Sequence, residues 1–241
     1  MTVAGAQELQ IRLEEVRGRI AAAARRRDRD LEDITLVAVS KTHPAAIVSQ
    51  ASTFGVTDFG ENRVQEAETK IGELGLANIR WHLIGHLQAN KVRRAVKLFD
   101  VIHSLDSVEL ARRLERSCLE LGRENLSVLI QVDLAGEATK SGAPVDVLPE
   151  LVKVVNECSH LSLKGLMVLP PFFADPESVR PFFRRLRELR DELQVAGQFG
   201  KARGELSMGM THDFEVAIEE GATMLRVGTA IFGERERTAV E

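Results

Sequence analysis

The N-terminal segment carries hydrophobic side chains at a helical period. Five of them follow one another at spacings of four, three, four and four residues: Leu9, Leu13, Val16, Ile20 and Ala24. This spacing places them on one face of an α-helix, with charged residues on the other faces. The pattern predicts an amphipathic helix over about residues 6–28.

Beyond this helix, short apolar segments alternate with amphipathic ones. The apolar segments have the length and composition of buried strands, and they lie at residues 34–40, 57–60, 80–85, 100–105, 127–134, 163–169, 205–209 and 224–228. Helical patterns lie between them, at residues 45–54, 62–73, 88–98, 107–122, 145–158, 176–195, 212–220 and from about 229. The stretch FFADPESV, at 172–179, is predicted to be a loop.

The alternation of strands and helices predicts a parallel sheet, because each crossover between parallel strands carries a helix and is right-handed. A closed (β/α)8 barrel and an open doubly wound sheet both fit this pattern. Eight predicted strands in a chain of 241 residues favour the barrel. We therefore expect one domain over residues 1–241, a single (β/α)8 TIM barrel from about 34 to 235 with an extra N-terminal helix.

Three local signals predict where helices begin. Asp106 with Glu109 fits an N-cap with a reciprocal partner three residues later, and Asn62 with Gln65 fits a looser version. Pro44 suits the first helical position, where its missing N–H is not needed.

Composition narrows the class of protein. The chain has 32 basic and 36 acidic residues, a formal charge of −4, which argues against a general nucleic-acid binder. Cys118 and Cys158 fall in helical segments and are expected to be reduced thiols of a cytosolic protein. The N-terminus lacks the apolar core of a signal peptide, and no apolar run approaches the roughly 20 residues that span a bilayer. We expect a cytoplasmic protein without membrane partners.

A lysine stands where the first predicted strand ends. The strand TLVAV gives way to Ser40 and Lys41, and active sites of (β/α)8 barrels lie at the carboxyl ends of the strands. An amine at such a partly desolvated edge is favoured in its neutral, nucleophilic form, which can make a Schiff base with a carbonyl compound. A solvated lysine on the rim is the alternative reading, and physical reasoning alone leaves both open.

Small residues follow the last two predicted strands. Strand eight leads into Gly228 and Thr229 at the start of an apolar helix, where backbone N–H groups and the helix dipole favour a phosphate. The preceding strand ends in Ser207, Met208 and Gly209, a second small turn with a hydroxyl. Phosphate sites of barrels commonly use these two loops, so the pair predicts a phosphate site.

Together these features call for a ligand that has both a carbonyl group and a phosphate. Pyridoxal 5′-phosphate (PLP) is an aldehyde with a phosphate and meets both requirements. Sugar phosphates with a carbonyl group remain the competing class of ligand.

The motifs also carry a resemblance to a known family. They are VAVSKTHP, FGENRVQEA, RWHLIGHLQANK, IHSLD, QVDLAGEATKSG, GLMVLP, LSMGMTHDFEVAI and RVGTAIFG, in that order from about residue 34 to 233. They resemble the pyridoxal phosphate homeostasis proteins (the YggS/PROSC family), single-domain relatives of the alanine racemase barrel. The resemblance implies an alanine racemase-type barrel that binds PLP.

The resemblance also implies roles for individual residues. Lys41 would form the Schiff base, Arg226 would face the pyridine nitrogen and Asn62 would line the pocket. The phosphate would lie among the small residues after the last two strands: Ser207, Met208, Gly209, Gly228 and Thr229. The sequence departs from the family pattern at three positions near the pocket mouth: His43, Arg63 and Asp133.

Other candidate sites carry weaker signals. His82 and His86 form H-x-x-x-H, but the segment is predicted to be a strand and its turn rather than the helix that zinc binding by this motif needs, so no metal site is expected. Trp81 is expected to pack in the core. Lys140 lies in the loop after strand five. The preferred interpretation is a surface lysine, and the alternative is a second amine that reacts with the aldehyde.

Two classes of function remain to be separated, a PLP enzyme and a PLP carrier. A charged arginine opposite the pyridine nitrogen disfavours the protonated ring that makes PLP a strong electron sink. The chain also has no tyrosine to act as the second base of the related racemases, although His86 or His103 could act as a base. We expect a monomeric PLP-binding protein that buffers PLP or delivers it to apo-enzymes and is not an enzyme; the alternative is a racemase-like enzyme. A metal-dependent or sugar-phosphate enzyme lacks convergent ligands.

Overall fold

A computed structural model describes residues 3–75, 78–136 and 141–234 of the chain. The strands are β1 Thr35–Val39, β2 Asp58–Glu61, β3 Arg80–Leu83, β4 Val101–Leu105, β5 Leu126–Asp133, β6 Ala143–Pro144, β7 Leu161–Met167, β8 Glu205–Ser207 and β9 Met224–Val227. The helices are α1 Val3–Arg25, α2 Ala45–Thr53, α3 Val64–Leu74, α4 Val92–Leu98, α5 Val108–Leu121, α6 Leu148–Glu157, α7 Arg180–Val195, α8 Phe214–Glu219 and α9 Thr229–Phe232.

Eight of these strands close into a parallel barrel. The order around the barrel is β1-β2-β3-β4-β5-β7-β8-β9, and β9 pairs with β1 to complete the circle. The two-residue strand β6 pairs with the end of β5 and lies outside the ring. The prediction of a (β/α)8 TIM barrel is therefore confirmed, and the alternative prediction of an open doubly wound sheet is wrong.

The first helix packs on the outside of the barrel. Its predicted apolar stripe is buried, with Leu13 fully inaccessible to solvent, and α1 contacts α8 and α9. Arg19 of α1 reaches Glu215 of α8 with an Nε–Oε1 distance of 2.7 Å. The helix begins and ends about three residues before the predicted bounds of 6–28. It lies outside the (β/α) repeat, as expected for an extra helix that precedes the first strand.

The predicted helix starts are each wrong by one residue. Ser107, not Asp106, is the N-cap of α5, because its extended backbone lets its hydroxyl accept from Leu110 N at 3.2 Å. Arg63 precedes α3 without a side-chain cap, so Asn62 does not cap this helix. Pro44 occupies the N-cap of α2 rather than its first helical position, since its ψ of 160° is extended.

The loop predicted at 172–179 is only partly irregular. Residues Pro176–Val179 form a 3₁₀ helix, capped by the Asp175 carboxylate, which accepts a hydrogen bond from Glu177 N at 3.1 Å. The two cysteines are free thiols, and burial raises the pKa of both Cys118 and Cys158 to about 11. Among the residues that the structure describes, no helix has the length and apolar character of a membrane span.

Candidate functional site

A cavity of about 540 Å³ opens at the carboxyl ends of the barrel strands. Its size lies within the range of roughly 300–1,000 Å³ that is typical of small-molecule sites. Residues from seven of the strand ends and loops line it: Val39, Lys41, Asn62, Ile84, Gly85, His86, Gln131, Ser141, Leu169, Phe172, Met210, Thr211, His212, Arg226, Gly228 and Thr229. Five of the eight residues predicted for the site are among them.

Lys41 occupies a tight turn between β1 and α2. The turn begins at the fully buried Ser40, whose carbonyl oxygen accepts a hydrogen bond from His43 N at 3.1 Å. Thr42 has a φ of 68°, a left-handed conformation that is uncommon for a residue other than glycine. Its amide donates to the Glu66 carboxylate. These hydrogen bonds fix the conformation of the turn, and the half-buried Lys41 in it lines the cavity.

A buried ion pair between Lys70 and Glu61 supports this turn. Lys70 Nζ donates to the Ser40 carbonyl oxygen at 2.7 Å and to Glu61 Oε1 at 2.6 Å. The Ser40 hydroxyl also donates to Glu61 Oε1, at 2.6 Å. Burial raises the pKa of Glu61, and the hydrogen bonds from Lys70 and Ser40 oppose that shift. The strand end that carries Lys41 therefore packs against a buried charge pair.

Arg226 forms the floor of the cavity. Its Nη1 donates to Ser207 Oγ at 2.6 Å, and its Nη2 donates to the Val168 carbonyl oxygen at 2.8 Å. Burial lowers the pKa of Arg226 to about 10, against the field of the Asp213 carboxylate. The guanidinium is still charged at neutral pH. A guanidinium has no acceptor, so the floor presents only positive N–H groups to a ligand.

Three predicted residues lie behind the wall of the cavity rather than along it. Ser207 and Met208 are fully buried, and the Ser207 hydroxyl is engaged by Arg226 and by His103 Nδ1, at 2.8 Å, inside the barrel. Gly209 has a φ of 90°, and a Cβ there would lie 2.6 Å from the Ala217 Cβ. The prediction that the Ser207 hydroxyl faces a phosphate does not fit this geometry. Wall positions belong instead to the next residues, from Met210 onward.

Gly228 and Thr229 lie at the cavity wall where β9 ends and α9 begins. A Cβ at Gly228 would sit 3.1 Å from the Val39 carbonyl oxygen, so glycine allows the ends of β9 and β1 to approach closely. Ile231 N donates to the Gly228 carbonyl oxygen at 2.9 Å, so the amides of α9 without a partner in that helix are those of Thr229 and Ala230. The Thr211 hydroxyl accepts a hydrogen bond from Ala230 N at 3.3 Å and fixes this corner.

Asn62 is half-buried and lines the cavity next to Gly85. A Cβ at Gly85 would lie 2.3 Å from the Asn62 carbonyl oxygen, so the turn after β3 packs directly on the backbone of Asn62. His86, the next residue, lies with its Nδ1 3.4 Å from Asp106 Oδ2, and burial raises the pKa of this carboxyl. The histidine therefore belongs to the cavity mouth.

The aromatic side of the mouth was not expected from the sequence. Phe172 is 80% exposed and lies beside His212, with 5.3 Å between ring centroids and the rings tilted by 37°. Both residues line the cavity together with Gln131. Phe172 lies in the segment predicted only as a loop, and its exposure could not be inferred from a local pattern.

The remaining candidates fall in other places. His82 lies on β3 and His103 on β4, both fully buried in the barrel interior, so His103 is not a base at the rim. Trp81 is fully buried, as expected for packing. Among the described residues, no group of three or more His, Cys, Asp or Glu side chains is arranged to hold a metal. Lys140 lies outside the described residues.

The three departures from the family pattern have distinct surroundings. Arg63 is exposed to solvent. Asp133 accepts hydrogen bonds from Ala135 N and Gly136 N, both at 3.0 Å, and so shapes the turn after β5. The His43 ring lies 5.3 Å from that of Phe232.

The closed parallel barrel, with its cavity at the carboxyl ends of the strands, places the chain in the class of alanine racemase-like barrels. The family described as "Alanine racemase, N-terminal domain" matches residues 11–236. An alanine racemase from Clostridium difficile superposes with a TM-score of 0.73 at 16% identity, over 97% of this chain and 61% of that one, which shows the shared fold.

Two relatives with higher sequence identity carry the same name. Pyridoxal phosphate homeostasis proteins from Aquifex aeolicus and Escherichia coli K12 are 44% and 43% identical over 93% of this chain, and over 97% and 95% of their own lengths. PipY of Synechococcus elongatus, whose structure was determined with PLP bound, is 40% identical over 93% of this chain and all of its own, with a TM-score of 0.80. The chain belongs to the family of pyridoxal phosphate homeostasis proteins.

Proposed function

We propose that this protein binds PLP as a Schiff base on Lys41 and holds it for exchange with other proteins. One observation carries the proposal: the cavity at the carboxyl end of the barrel brings Lys41, Arg226 and the Gly228–Thr229 turn to a single space. A relative with PLP bound shares 40% of its sequence with this chain.

The residues present fit the chemistry of this cofactor. Condensation of the Lys41 amine with the aldehyde forms a C=N bond and releases water. The Thr229 amide and hydroxyl, at the start of α9, would receive the phosphate. Arg226 would donate toward the pyridine nitrogen, and Asn62 would contact the ring from the wall. These assignments account for four residues that line the cavity.

Storage or delivery suits the site better than catalysis. Arg226 can only donate a hydrogen bond, so it opposes protonation of the pyridine nitrogen and weakens the electron sink on which catalysis by PLP depends. The sequence has no tyrosine to serve as a base. We further propose that the protein acts as a monomer in this role and passes PLP to apo forms of PLP-dependent enzymes.

A paired measurement of transfer and proton exchange tests this function. The loaded protein should restore activity to an apo-enzyme faster than it releases PLP to a small-molecule trap. In deuterium oxide it should not exchange the Cα hydrogen of common amino acids faster than free PLP does. Stereospecific exchange that is lost in Lys41→Ala would instead favour the racemase-like alternative, with His86 beside Asp106 as its candidate base.

A further inference from the structure

Buried polar side chains form a continuous hydrogen-bonded chain through the barrel interior. It begins with Asp58 Oδ1, which lies 2.9 Å from His82 Nε2. His82 Nδ1 lies 2.8 Å from His103 Nε2, and His103 Nδ1 lies 2.8 Å from Ser207 Oγ. Ser207 Oγ in turn accepts from Arg226 Nη1 at 2.6 Å. We name Asp58, His82, His103 and Ser207 the interior relay.

The interior relay connects opposite ends of the barrel. Asp58 is the first residue of β2, at the amino end of the strands, whereas Arg226 lies at the floor of the cavity at the carboxyl end. The barrel strands also carry a buried apolar cluster made of Val101, Leu129, Met167 and Met224. Placing polar groups in such a layer is costly unless each finds a partner.

The Asp58 carboxylate determines which atom donates and which accepts in the hydrogen bonds of the interior relay. Burial opposes ionisation of Asp58, but hydrogen bonds from His82, Thr57 and Arg80 bring its pKa down to about 2. At neutral pH the carboxylate can only accept hydrogen bonds. The proton between the first two groups therefore belongs to His82 Nε2.

The other hydrogen bonds of the interior relay run in the same direction. Burial lowers the pKa of both His82 and His103, so each ring is neutral and carries one proton. With its proton on Nε2, His82 accepts at Nδ1 from His103 Nε2–H, and His103 accepts at Nδ1 from the Ser207 hydroxyl. Ser207 then has its lone pairs for Arg226, which can only donate. One direction of hydrogen bonding therefore suits both Asp58, which can only accept, and Arg226, which can only donate.

We propose that the interior relay is a positioning device for Arg226: it orients the Ser207 hydroxyl so that its lone pair faces the guanidinium and fixes the donor at the cavity floor. His103 and His82 thus act on the ligand through Arg226 and do not touch it. The proposal rests on the proposed function in that the group above Arg226 is the pyridine ring of PLP.

The first test needs no ligand. Nitrogen-15 NMR of the PLP-free protein at pH 7 should show His82 and His103 neutral, with the proton of each ring on Nε2. A proton on Nδ1 of either ring, or a doubly protonated ring, would overturn the assigned direction. This result does not depend on whether the protein binds PLP.

The second test removes links from the relay. Ser207→Ala and His103→Phe should weaken PLP binding about tenfold, as for the loss of one hydrogen bond to a charged group. They should also shift the pyridine nitrogen resonance of bound ¹⁵N-labelled PLP, which a purely structural role would not change. Ser207→Thr, which keeps the hydroxyl, should retain both properties.

A matched control is available outside the barrel. His160 Nδ1 lies 2.7 Å from Glu115 Oε1, so His160→Phe breaks a similar histidine–carboxylate contact away from the cavity and should leave both readouts unchanged. Unchanged affinity and resonance in Ser207→Ala would overturn the positioning role, even if His103→Phe fails to fold. Failure of the wild type to bind PLP would instead refute the proposed function.

Discussion

Gly85 offers a sharp test of how the cavity wall is built. A methyl group at this position would lie 2.3 Å from the Asn62 carbonyl oxygen and 2.8 Å from its Cα. Ordinary contacts begin near 3.4 Å, so the two backbone segments must separate by about 1 Å. Neither is the end of a flexible side chain, and the strain falls on the β2 and β3 ends that shape the cavity.

The expected cost of Gly85→Ala follows from this overlap. Overpacking typically costs about 1–3 kcal/mol, and a clash between two backbone segments belongs at the upper end. For a chain of this size, about 3 kcal/mol lowers Tm by roughly 6–12 °C. Displacement of Asn62 should also weaken PLP binding about tenfold, the loss of one hydrogen bond to the ligand.

Gly72→Ala is the matched control, because Gly72 lies in α3 and a Cβ there meets nothing within 4 Å. Alanine in a helix interior should stabilise the protein by about 0.5–1 kcal/mol. Thermal unfolding and PLP titration of both variants measure the contrast. A Gly85→Ala protein with wild-type Tm and wild-type PLP affinity would refute the account of this wall.

Three further outcomes are expected. Lys70→Met should lower the free energy of unfolding by about 3 kcal/mol in urea titrations, because it leaves Glu61 buried without its cation; no loss would show that Glu61 is neutral in the folded protein. Thr229→Ala should weaken binding of PLP more than binding of pyridoxal, and equal losses would place the phosphate elsewhere. The lowered pKa of Asp58, from 3.8 to about 2, stabilises the fold above pH 4, so stability should fall between about pH 4 and pH 2 as the carboxylate is protonated; Asp58→Asn should remove that component of the acid unfolding curve.

Much of the fold could be predicted because the relevant signals are local. The alternation of apolar strands with amphipathic helices predicts the order of elements, and the number of strands favours a closed barrel over an open sheet. The same order places Lys41 after β1 and Gly228 after β9, so the sequence alone indicated which strand ends meet. The capping residues were harder to predict, because backbone angles decide which side chain can cap: the extended Ser107, one residue after Asp106, accepts from Leu110 N.

Side-chain direction inside the barrel could not be predicted. Ser207 stands at a strand end, where a hydroxyl facing a phosphate is reasonable, yet its partners are His103, which lies 104 residues away in sequence, and Arg226. The alternation of side chains along a strand decides between interior and wall, and a boundary uncertainty of one residue reverses it. Residues from different strands become partners only when the barrel closes.

The central claim is that Lys41 carries the cofactor. The most direct measurement is borohydride reduction of the PLP-loaded protein, followed by peptide mass spectrometry, because reduction converts the C=N bond to a stable secondary amine. The pyridoxyl group should be found on the Lys41 peptide, should disappear in Lys41→Ala and should persist in Lys97→Ala, which removes an exposed lysine of α4. A wild-type protein labelled at other lysines, with Lys41 unmodified, would contradict the account.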